Sequence, residues 1–184
     1  VKQKVDSFIA YLFESKFLRE NDDNPGFEQP VEESRFDSLE QKNYSCSVVF
    51  RDCNLDCVYC YNKHDRNTNT QGRTPEMTTT EFKYALKQLV DFGVKQFMFS
   101  GGEPTLRKDV TLLAEYVKSL DSGSTIALIT NGTRIDGNNV QPIADVFDLV
   151  WVSLDSWNES EHEALRGKGT FSRTVKAIEL LVDN

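Results

Sequence analysis

The chain lacks the features that would direct it to a membrane, to secretion or to a nucleic acid. None of its apolar runs approaches the roughly 18 residues that a membrane span needs. Residues 1–4 lead into a helical pattern rather than into the apolar core of a secretory signal. Its 29 acidic residues outnumber its 21 Lys and Arg residues, for a net charge of -8, which disfavours a surface dominated by phosphate contacts. These absences predict a cytoplasmic protein with no membrane association and no nucleic-acid partner.

Cysteine and histidine are scarce, at four and two of 184 residues, yet three of the cysteines are crowded together. Cys53, Cys57 and Cys60 fall within eight residues, which favours a metal or redox site over a disulfide framework. Thiolates are soft ligands that suit an iron–sulfur cluster or zinc. A four-iron cluster normally takes four cysteines, so three in one loop leave one iron open for chemistry. The alternative is a structural zinc site completed by Cys46 or His64.

Apolar periodicity predicts alternating strands and helices from residue 44 onward. We predict strands at 45–50, 94–100, 125–130 and 149–154, and helices at 78–91, 109–120, 140–147 and from 170 onward. Thr78 and Glu81 have the spacing of a capping box. The alternation indicates right-handed βαβ units and a parallel sheet, and therefore an α/β protein.

The first 43 residues are predicted to be separate from this α/β body. Apolar residues at 5, 8, 9, 12 and 13 have the spacing of an amphipathic helix. Residues 20–42 contain eight acidic residues, two prolines and little periodicity, which is typical of a solvated linker. We therefore divide the chain into residues 1–43 and residues 44–184.

The chemically distinctive residues follow the predicted strands. Cys53 follows the first strand, residues 101–104 (GGEP) the second and Asn131 the third, while Ser153 and Asp155 end the fourth. In parallel α/β sheets, chemistry gathers at the C-terminal ends of the strands. We therefore expect these features to converge on one edge of the sheet.

Several of these segments resemble motifs of one enzyme family. Residues 53–60 (CNLDCVYC) resemble the signature loop of the radical S-adenosylmethionine (SAM) superfamily, and residues 101–104 are similar to its GGEP motif. Residues 152–156 (VSLDS) and 162–167 (HEALRG) resemble the fourth-strand region of the peptide-maturing, SPASM-type subgroup. The resemblance extends from about residue 44 to the end of the chain.

The resemblance implies a partial parallel (β/α) barrel of the radical SAM type with an N-terminal helical extension. Members of the family usually build six strands, and about four βα units are visible here. We therefore expect the core to continue past Asn184, and these residues alone to be an incomplete enzyme. The fourth strand would then have an unpaired edge that favours self-association.

The resemblance also implies cofactors and a reaction. The three thiolates would hold a [4Fe–4S] cluster whose open iron binds the amino and carboxylate groups of SAM. An electron passed through the cluster would split SAM into methionine and a 5′-deoxyadenosyl radical that abstracts hydrogen from a substrate, with the protein supplying position and shielding. The expected partners are a peptide or protein substrate and a flavodoxin- or ferredoxin-like electron donor. The alternatives are a sulfatase-maturase-like or small-molecule (cofactor-biosynthesis) radical SAM enzyme and, outside enzymes, a zinc-stabilised binding domain.

Five candidate cofactor-binding residues come from the first two motifs. Gly101, Gly102 and Pro104 belong to GGEP, where the missing side chains let the backbone approach a ligand closely. Glu103 would accept a charge-assisted hydrogen bond from the SAM ammonium. Tyr59 matches the family position beside the adenine. The alternative for GGEP is an ordinary turn that ends a strand, and the alternative for Tyr59 is an aromatic side chain that packs within the loop.

Four further candidates come from the end of the third strand and from the fourth-strand region. Ser153 and Arg166 resemble residues that hold the SAM carboxylate or ribose, and the fork of an arginine suits a carboxylate. Asn131 and Asp155 are further candidates for cofactor binding. For Arg166 the alternative is a surface salt bridge. Residues 5–19 resemble the closing helix of a winged-helix module that recognises leader peptides, with a plain amphipathic helix as the alternative.

Overall fold

The computed structural model describes residues 44–62 and 76–184. The predicted N-terminal helix and linker lie outside the described residues, and so does His64. No helix in the described part of the chain is long and apolar enough to cross a membrane.

A four-stranded parallel sheet forms the centre of the fold. Its strands are β1 (Tyr44–Phe50), β2 (Val94–Gly101), β3 (Thr125–Thr130) and β4 (Leu149–Val152), in the spatial order β1-β2-β3-β4. The register pairs Phe50 with Gly101, and Ile129 with Trp151. Each strand therefore ends at the same edge, and the predicted α/β fold with about four βα units is confirmed.

Within the described residues, five helices connect and follow the strands. They are α1 (Thr79–Phe92), α2 (Val110–Leu120), α3 (Val140–Val146), α4 (Glu159–Arg166) and α5 (Phe171–Val182), with a short 3₁₀ turn at Pro104–Leu106. The predicted capping box is present, because Thr78 and Glu81 exchange side-chain-to-backbone hydrogen bonds at the start of α1. Gly93, at a φ of 101°, ends α1 in the left-handed conformation that glycine adopts easily.

Three sequence predictions need correction. The fourth strand ends at Val152 rather than at residue 154. Helix α4 was not predicted, because only His162 of its eight residues is buried and its sequence carries no apolar stripe. The spacing of the apolar residues of α5 predicts a buried face made of Phe171, Val175, Ile178 and Val182. Its buried residues are instead Thr174 and Ala177, and Val182 is 79% exposed.

The two faces of the sheet differ in how far the helices bury them. One face packs against the helices, and its fully buried side chains are Phe50, Phe97, Phe99, Ile126 and Leu128. On the other face Val49, Leu149 and Trp151 are about half exposed. We call this second surface the inner face of the sheet.

Cys46 lies on the helix-packed face of β1, away from the other three cysteines along the strand. Its position inside the first strand predicts a small core residue, and Cys46 is indeed half buried against the core. Burial raises the pKa of its thiol to about 11, so Cys46 stays a thiol rather than a thiolate ligand at neutral pH.

Candidate functional site

The three crowded cysteines lie in the loop that follows β1, which we call the cysteine loop (residues 51–62). None of the three is in a disulfide; Cys57 is buried, and Cys53 and Cys60 are half buried. Burial raises the pKa of Cys57, Arg166 opposes that shift, and the neighbouring Cys53 and Cys60 add to it. The amide of Leu55 donates a hydrogen bond of 3.4 Å to Sγ of Cys53.

Within residues 44–62 and 76–184, no three Cys, His, Asp or Glu side chains are drawn together as a ready metal-binding group. The fit to a cluster therefore rests on the chemistry and placement of the donors. Three cysteines outside disulfides on one short loop, close enough to influence each other's ionisation, are a suitable donor set for an iron–sulfur cluster.

The two glycines of GGEP support the cysteine loop through close backbone contact. The amide of Gly102 donates to the carbonyl of Phe50 and that of Glu103 to the carbonyl of Asp52, both at 2.7 Å. A Cβ at Gly101 would lie 2.2 Å from the Phe50 carbonyl oxygen, and one at Gly102 would lie 2.1 Å from that of Asp52. The close approach predicted for a ligand is thus made by the loop itself, and cofactor binding by these glycines stays a prediction.

The Glu103 carboxylate is buried and joins the end of β2 to the end of β3. It is 1% exposed, and Oε1 accepts from the amide and hydroxyl of Thr105, at 3.1 and 2.6 Å, and from the hydroxyl of Thr130 at 2.7 Å. Oε2 accepts from the amide of Asn131 at 2.7 Å. The neighbouring Pro104 is also buried. Oε1 accepts three of these four hydrogen bonds and Oε2 accepts one, so Oε2 has room for the predicted ammonium donor.

Asn131 is committed to a side-chain network that reaches the cysteine loop. Its Oδ1 accepts from the amide and hydroxyl of Thr133, at 2.9 and 2.7 Å, and its Nδ2 donates to Oδ1 of Asn54 at 3.1 Å. Asn54 in turn donates to the hydroxyl of Thr133 at 2.8 Å. Asn54 directly follows Cys53, so this network holds the first part of the cysteine loop against the turn after β3.

A second group holds the other end of the cysteine loop. The Tyr59 hydroxyl donates to Oδ2 of Asp155 at 2.6 Å, and Arg166 binds both oxygens of Asp155 at 2.8 and 2.9 Å. The Arg166 guanidinium also lies 5.6 Å from the centre of the Tyr59 ring. The amide of Val58 donates to the carbonyl of Leu165 at 2.9 Å, which ties the loop to the end of α4.

The charges of this second group are fixed by their mutual contacts. Burial alone would raise the pKa of Asp155, but hydrogen bonds from Arg166 and Tyr59 hold it below its usual value. Burial raises the pKa of Tyr59 to about 12, and its hydrogen bond to Asp155 adds to that shift. Asp155 is therefore a carboxylate at neutral pH, and Tyr59 keeps its proton.

The predicted site residues all lie at or beside the C-terminal edge of the sheet. Glu103 and Asn131 contact each other directly, as do Tyr59, Asp155 and Arg166. Ser153 continues the sheet through its amide, which donates to the carbonyl of Thr130 at 2.9 Å.

Sequence reasoning assigned no role to Asn54, Thr130, Thr133 or His162. The position of Asn54 immediately after the first crowded cysteine was a usable signal for it. His162 opens the HEALRG segment, which was a usable signal for it, whereas the threonines carried none, because ordinary surface and core positions also contain them.

The chain is similar to several curated enzymes. It is 35% identical over 129 residues to the Fe-coproporphyrin III synthase of Methanosarcina barkeri, covering 70% of this chain and 31% of that protein. It is also 35% identical over 132 residues to the mycofactocin maturase MftC of Mycolicibacterium smegmatis, with the same coverages. The chain thus spans about a third of the length of these two relatives.

Solved structures share the fold. The native anSMEcpe structure with bound AdoMet matches 76% of this chain and 40% of its own, with a TM-score of 0.62 and 25% identity. Streptococcus suis SuiB bound to the precursor peptide SuiA matches 99% of this chain and 44% of its own, with a TM-score of 0.62 and 18% identity.

The family assignment follows from a match over most of the chain. Residues 47–184 match the model of the Radical SAM superfamily, and this segment contains the cysteine loop, the GGEP turn and all four strand ends. The relatives are enzymes, and the family uses a [4Fe–4S] cluster and SAM. The chain belongs to the radical SAM superfamily.

Proposed function

We propose that this chain holds the cluster and SAM in a radical SAM enzyme that modifies a peptide or protein side chain. The cluster ligands in this proposal are Cys53, Cys57 and Cys60. The observation that carries it is the attachment of the cysteine loop. Residues at the ends of all four strands, among them Glu103 and Asp155, hold the loop by direct or relayed hydrogen bonds.

A cluster held by Cys53, Cys57 and Cys60, and reduced by an external electron donor, would supply reductive cleavage of SAM and hydrogen-atom abstraction from the substrate. The residues of the chain bind and orient the cluster and SAM. Oε2 of Glu103 faces the turn after β3 and has capacity for the SAM ammonium. Arg166 uses Nε and Nη2 on Asp155, so its remaining N–H groups are available for a carboxylate.

The inner face of the sheet supports a site for the substrate beside these groups. Trp151 lies in β4, two residues before Ser153, and is 52% exposed. Val49 lies in β1 beside Ser100 of β2 and is 56% exposed. Half-exposed aromatic and aliphatic side chains next to a few hydroxyls form the kind of surface that buries a substrate side chain.

Two comparisons support a peptide or protein substrate. One curated relative is a maturase, and one structural neighbour contains a precursor peptide. A small-molecule substrate is the second candidate, and it is favoured by the equal identity to the Fe-coproporphyrin III synthase. The small-molecule hypothesis predicts that the substrate binds without any contribution from an extended peptide.

The cluster proposal is tested by anaerobic reconstitution of the full protein with iron and sulfide. We expect Cys53→Ala, Cys57→Ala and Cys60→Ala each to lose iron and the broad visible absorbance of a cluster, because each removes one of three ligands. Cys46→Ala is the matched control and keeps both, since Cys46 is half buried in β1. Loss of iron in Cys46→Ala would contradict the ligand assignment, and stoichiometric zinc in a colourless protein would support the binding-domain alternative.

The substrate proposal is tested separately. SAM cleavage by reduced protein is measured with candidate precursor peptides and with small tetrapyrroles, and each product is analysed by mass spectrometry. Hydrogen loss from a peptide, dependent on SAM and on Cys57, is the expected result. Turnover restricted to a small molecule would replace the peptide proposal without affecting the cluster assignment.

A further inference from the structure

His162, on α4, is a fully buried polar residue to which the mechanism above gives no task. It is 0% exposed, and its Nδ1 accepts a hydrogen bond of 3.3 Å from the amide of Asp155. Among the described residues its Nε2 has no hydrogen-bond partner. Its ring meets that of Phe171 edge to face, with centroids 5.8 Å apart.

The hydrogen bond determines the tautomer of this ring. A neutral imidazole has one donor nitrogen and one acceptor nitrogen. Because Nδ1 accepts from a backbone amide, the proton of neutral His162 is on Nε2. Burial and the nearby Arg166 lower the pKa of His162, and the carboxylates of Asp155 and Glu163 only partly oppose them. The neutral form therefore dominates near pH 7.

An ordinary core position would be better filled by a wholly apolar side chain. A buried N–H without a partner is unfavourable, and a phenylalanine or leucine would avoid it. The feature that an apolar residue lacks is the acceptor at Nδ1. The burial of His162 is therefore best explained by the hydrogen bond to the Asp155 amide.

The Asp155 backbone matters because of what its carboxylate holds. That carboxylate accepts from the Tyr59 hydroxyl at 2.6 Å and from Arg166 at 2.8 and 2.9 Å. Tyr59 directly precedes Cys60 in the cysteine loop. A shift of the Asp155 main chain would therefore move both a loop residue and a residue proposed to bind SAM.

We propose that His162, as the Nε2–H tautomer, is a positioning residue: it anchors the main chain of Asp155 and thereby holds Tyr59 and Arg166 in place. The inference rests on the proposed function, because its consequence is the geometry of the SAM site. It predicts that the acceptor at Nδ1, rather than the bulk of the ring, carries the effect.

Three substitutions separate the acceptor from the bulk. In His162→Asn the side-chain oxygen occupies nearly the place of Nδ1, whereas in His162→Gln the amide reaches toward the place of Nε2. His162→Phe keeps a ring and removes both nitrogens. Phe171→Leu is the packing control, since it changes the ring contact and leaves the Asp155 hydrogen bond intact.

The first readout uses the full protein before any cluster is loaded. Amide-resolved hydrogen exchange measures protection of the Asp155 amide, and ¹⁵N NMR of the imidazole reports the tautomer of His162. We expect protection in the wild type, His162→Asn and Phe171→Leu, and its loss in His162→Gln and His162→Phe. Equal protection in all variants, or an Nδ1–H tautomer, would overturn the proposal.

The second readout uses the reconstituted protein. Iron content is expected to stay at the wild-type level in all four variants, because the hydrogen bond of His162 in the described part of the chain goes to the Asp155 amide and not to a cysteine. Affinity for SAM, followed by calorimetry and by the SAM-induced change in the electron paramagnetic resonance spectrum, should fall about tenfold in His162→Gln and His162→Phe. His162→Asn should restore it.

The outcomes distinguish this inference from the proposed function. If the wild type binds neither iron nor SAM, the proposed function fails, while hydrogen exchange still decides whether His162 anchors Asp155. If the wild type binds SAM and His162→Asn is as defective as His162→Phe, the positioning role fails and the proposed function stands. A variant that does not fold, as judged by its unfolding transition, is replaced in the comparison by His162→Leu.

Discussion

Replacement of the buried Glu103 carboxylate by a methyl group should destabilise the fold strongly. In Glu103→Ala the hydroxyl of Thr130 and the amide of Asn131 lose their acceptor, and both are buried. Each buried donor left without an acceptor lowers the free energy of unfolding by about 1–3 kcal/mol. The Thr105 donors are only partly buried and can turn to water. We therefore expect a loss of about 4 kcal/mol, a large share of the roughly 5–15 kcal/mol by which proteins are stable.

The measurement is urea unfolding of the cluster-free protein, so that SAM binding makes no contribution. Glu103→Gln keeps one acceptor and presents an NH₂ group where Oε2 faced the Asn131 amide, so its loss should be intermediate. Thr105→Val is the matched control, because it removes one donor and strands none, with a loss of about 1 kcal/mol. A loss of unfolding free energy below about 1 kcal/mol in Glu103→Ala, or one no larger than in Thr105→Val, would refute the argument that buried donors depend on the Glu103 carboxylate.

Three further predictions follow from the site and its surroundings. Gly102→Ala should lower the melting temperature and the iron content together, because its Cβ would lie 2.1 Å from the Asp52 carbonyl oxygen. Gly137→Ala is the control and should change neither, because a Cβ there would have nothing within 4 Å, and equal effects of both substitutions would contradict the close-contact argument. Trp151→Ala should raise KM for the substrate and leave SAM affinity unchanged, as kinetics and calorimetry would show; an equal loss of SAM affinity would remove Trp151 from the substrate surface. Burial lowers the pKa of His162 below 6.5. As the pH falls below 6.5, the unfolded chain therefore takes up a proton on this histidine that the folded chain does not, and thermal stability should fall with pH. His162→Asn should remove this component, and an unchanged pH profile would show that His162 does not supply it.

Much of the fold was predictable because its signals are local. Strands β1 to β3 and helices α1 to α3 were placed within about one residue, since a strand or helix that packs on one side shows a periodic apolar pattern. Helix α4 was missed for the same reason. It packs mainly through His162, so hydrophobic periodicity gives no sign of it.

The candidate site divides in a similar way. The three cysteines and the GGEP turn were found because they are short motifs with unusual residues at fixed spacing, and their predicted roles await test. The partners of these motifs were not found. Asn54 reaches Asn131 across 77 positions, and Tyr59 reaches Asp155 across 96. No local pattern records such pairs.

By itself, the sequence determined the alternation of strands and helices, the edge of the sheet at which chemistry gathers, and the residue types available there. These depend on periodicity, turn chemistry and the rule that parallel strands end together. The tertiary structure alone decided that the GGEP glycines admit the backbone of the cysteine loop, that Glu103 joins two strand ends, and that a buried histidine supports Asp155. Hydrogen bonds and close contacts between distant residues depend on distances and directions of a few ångströms, which exist only once the sheet has brought its strand ends together.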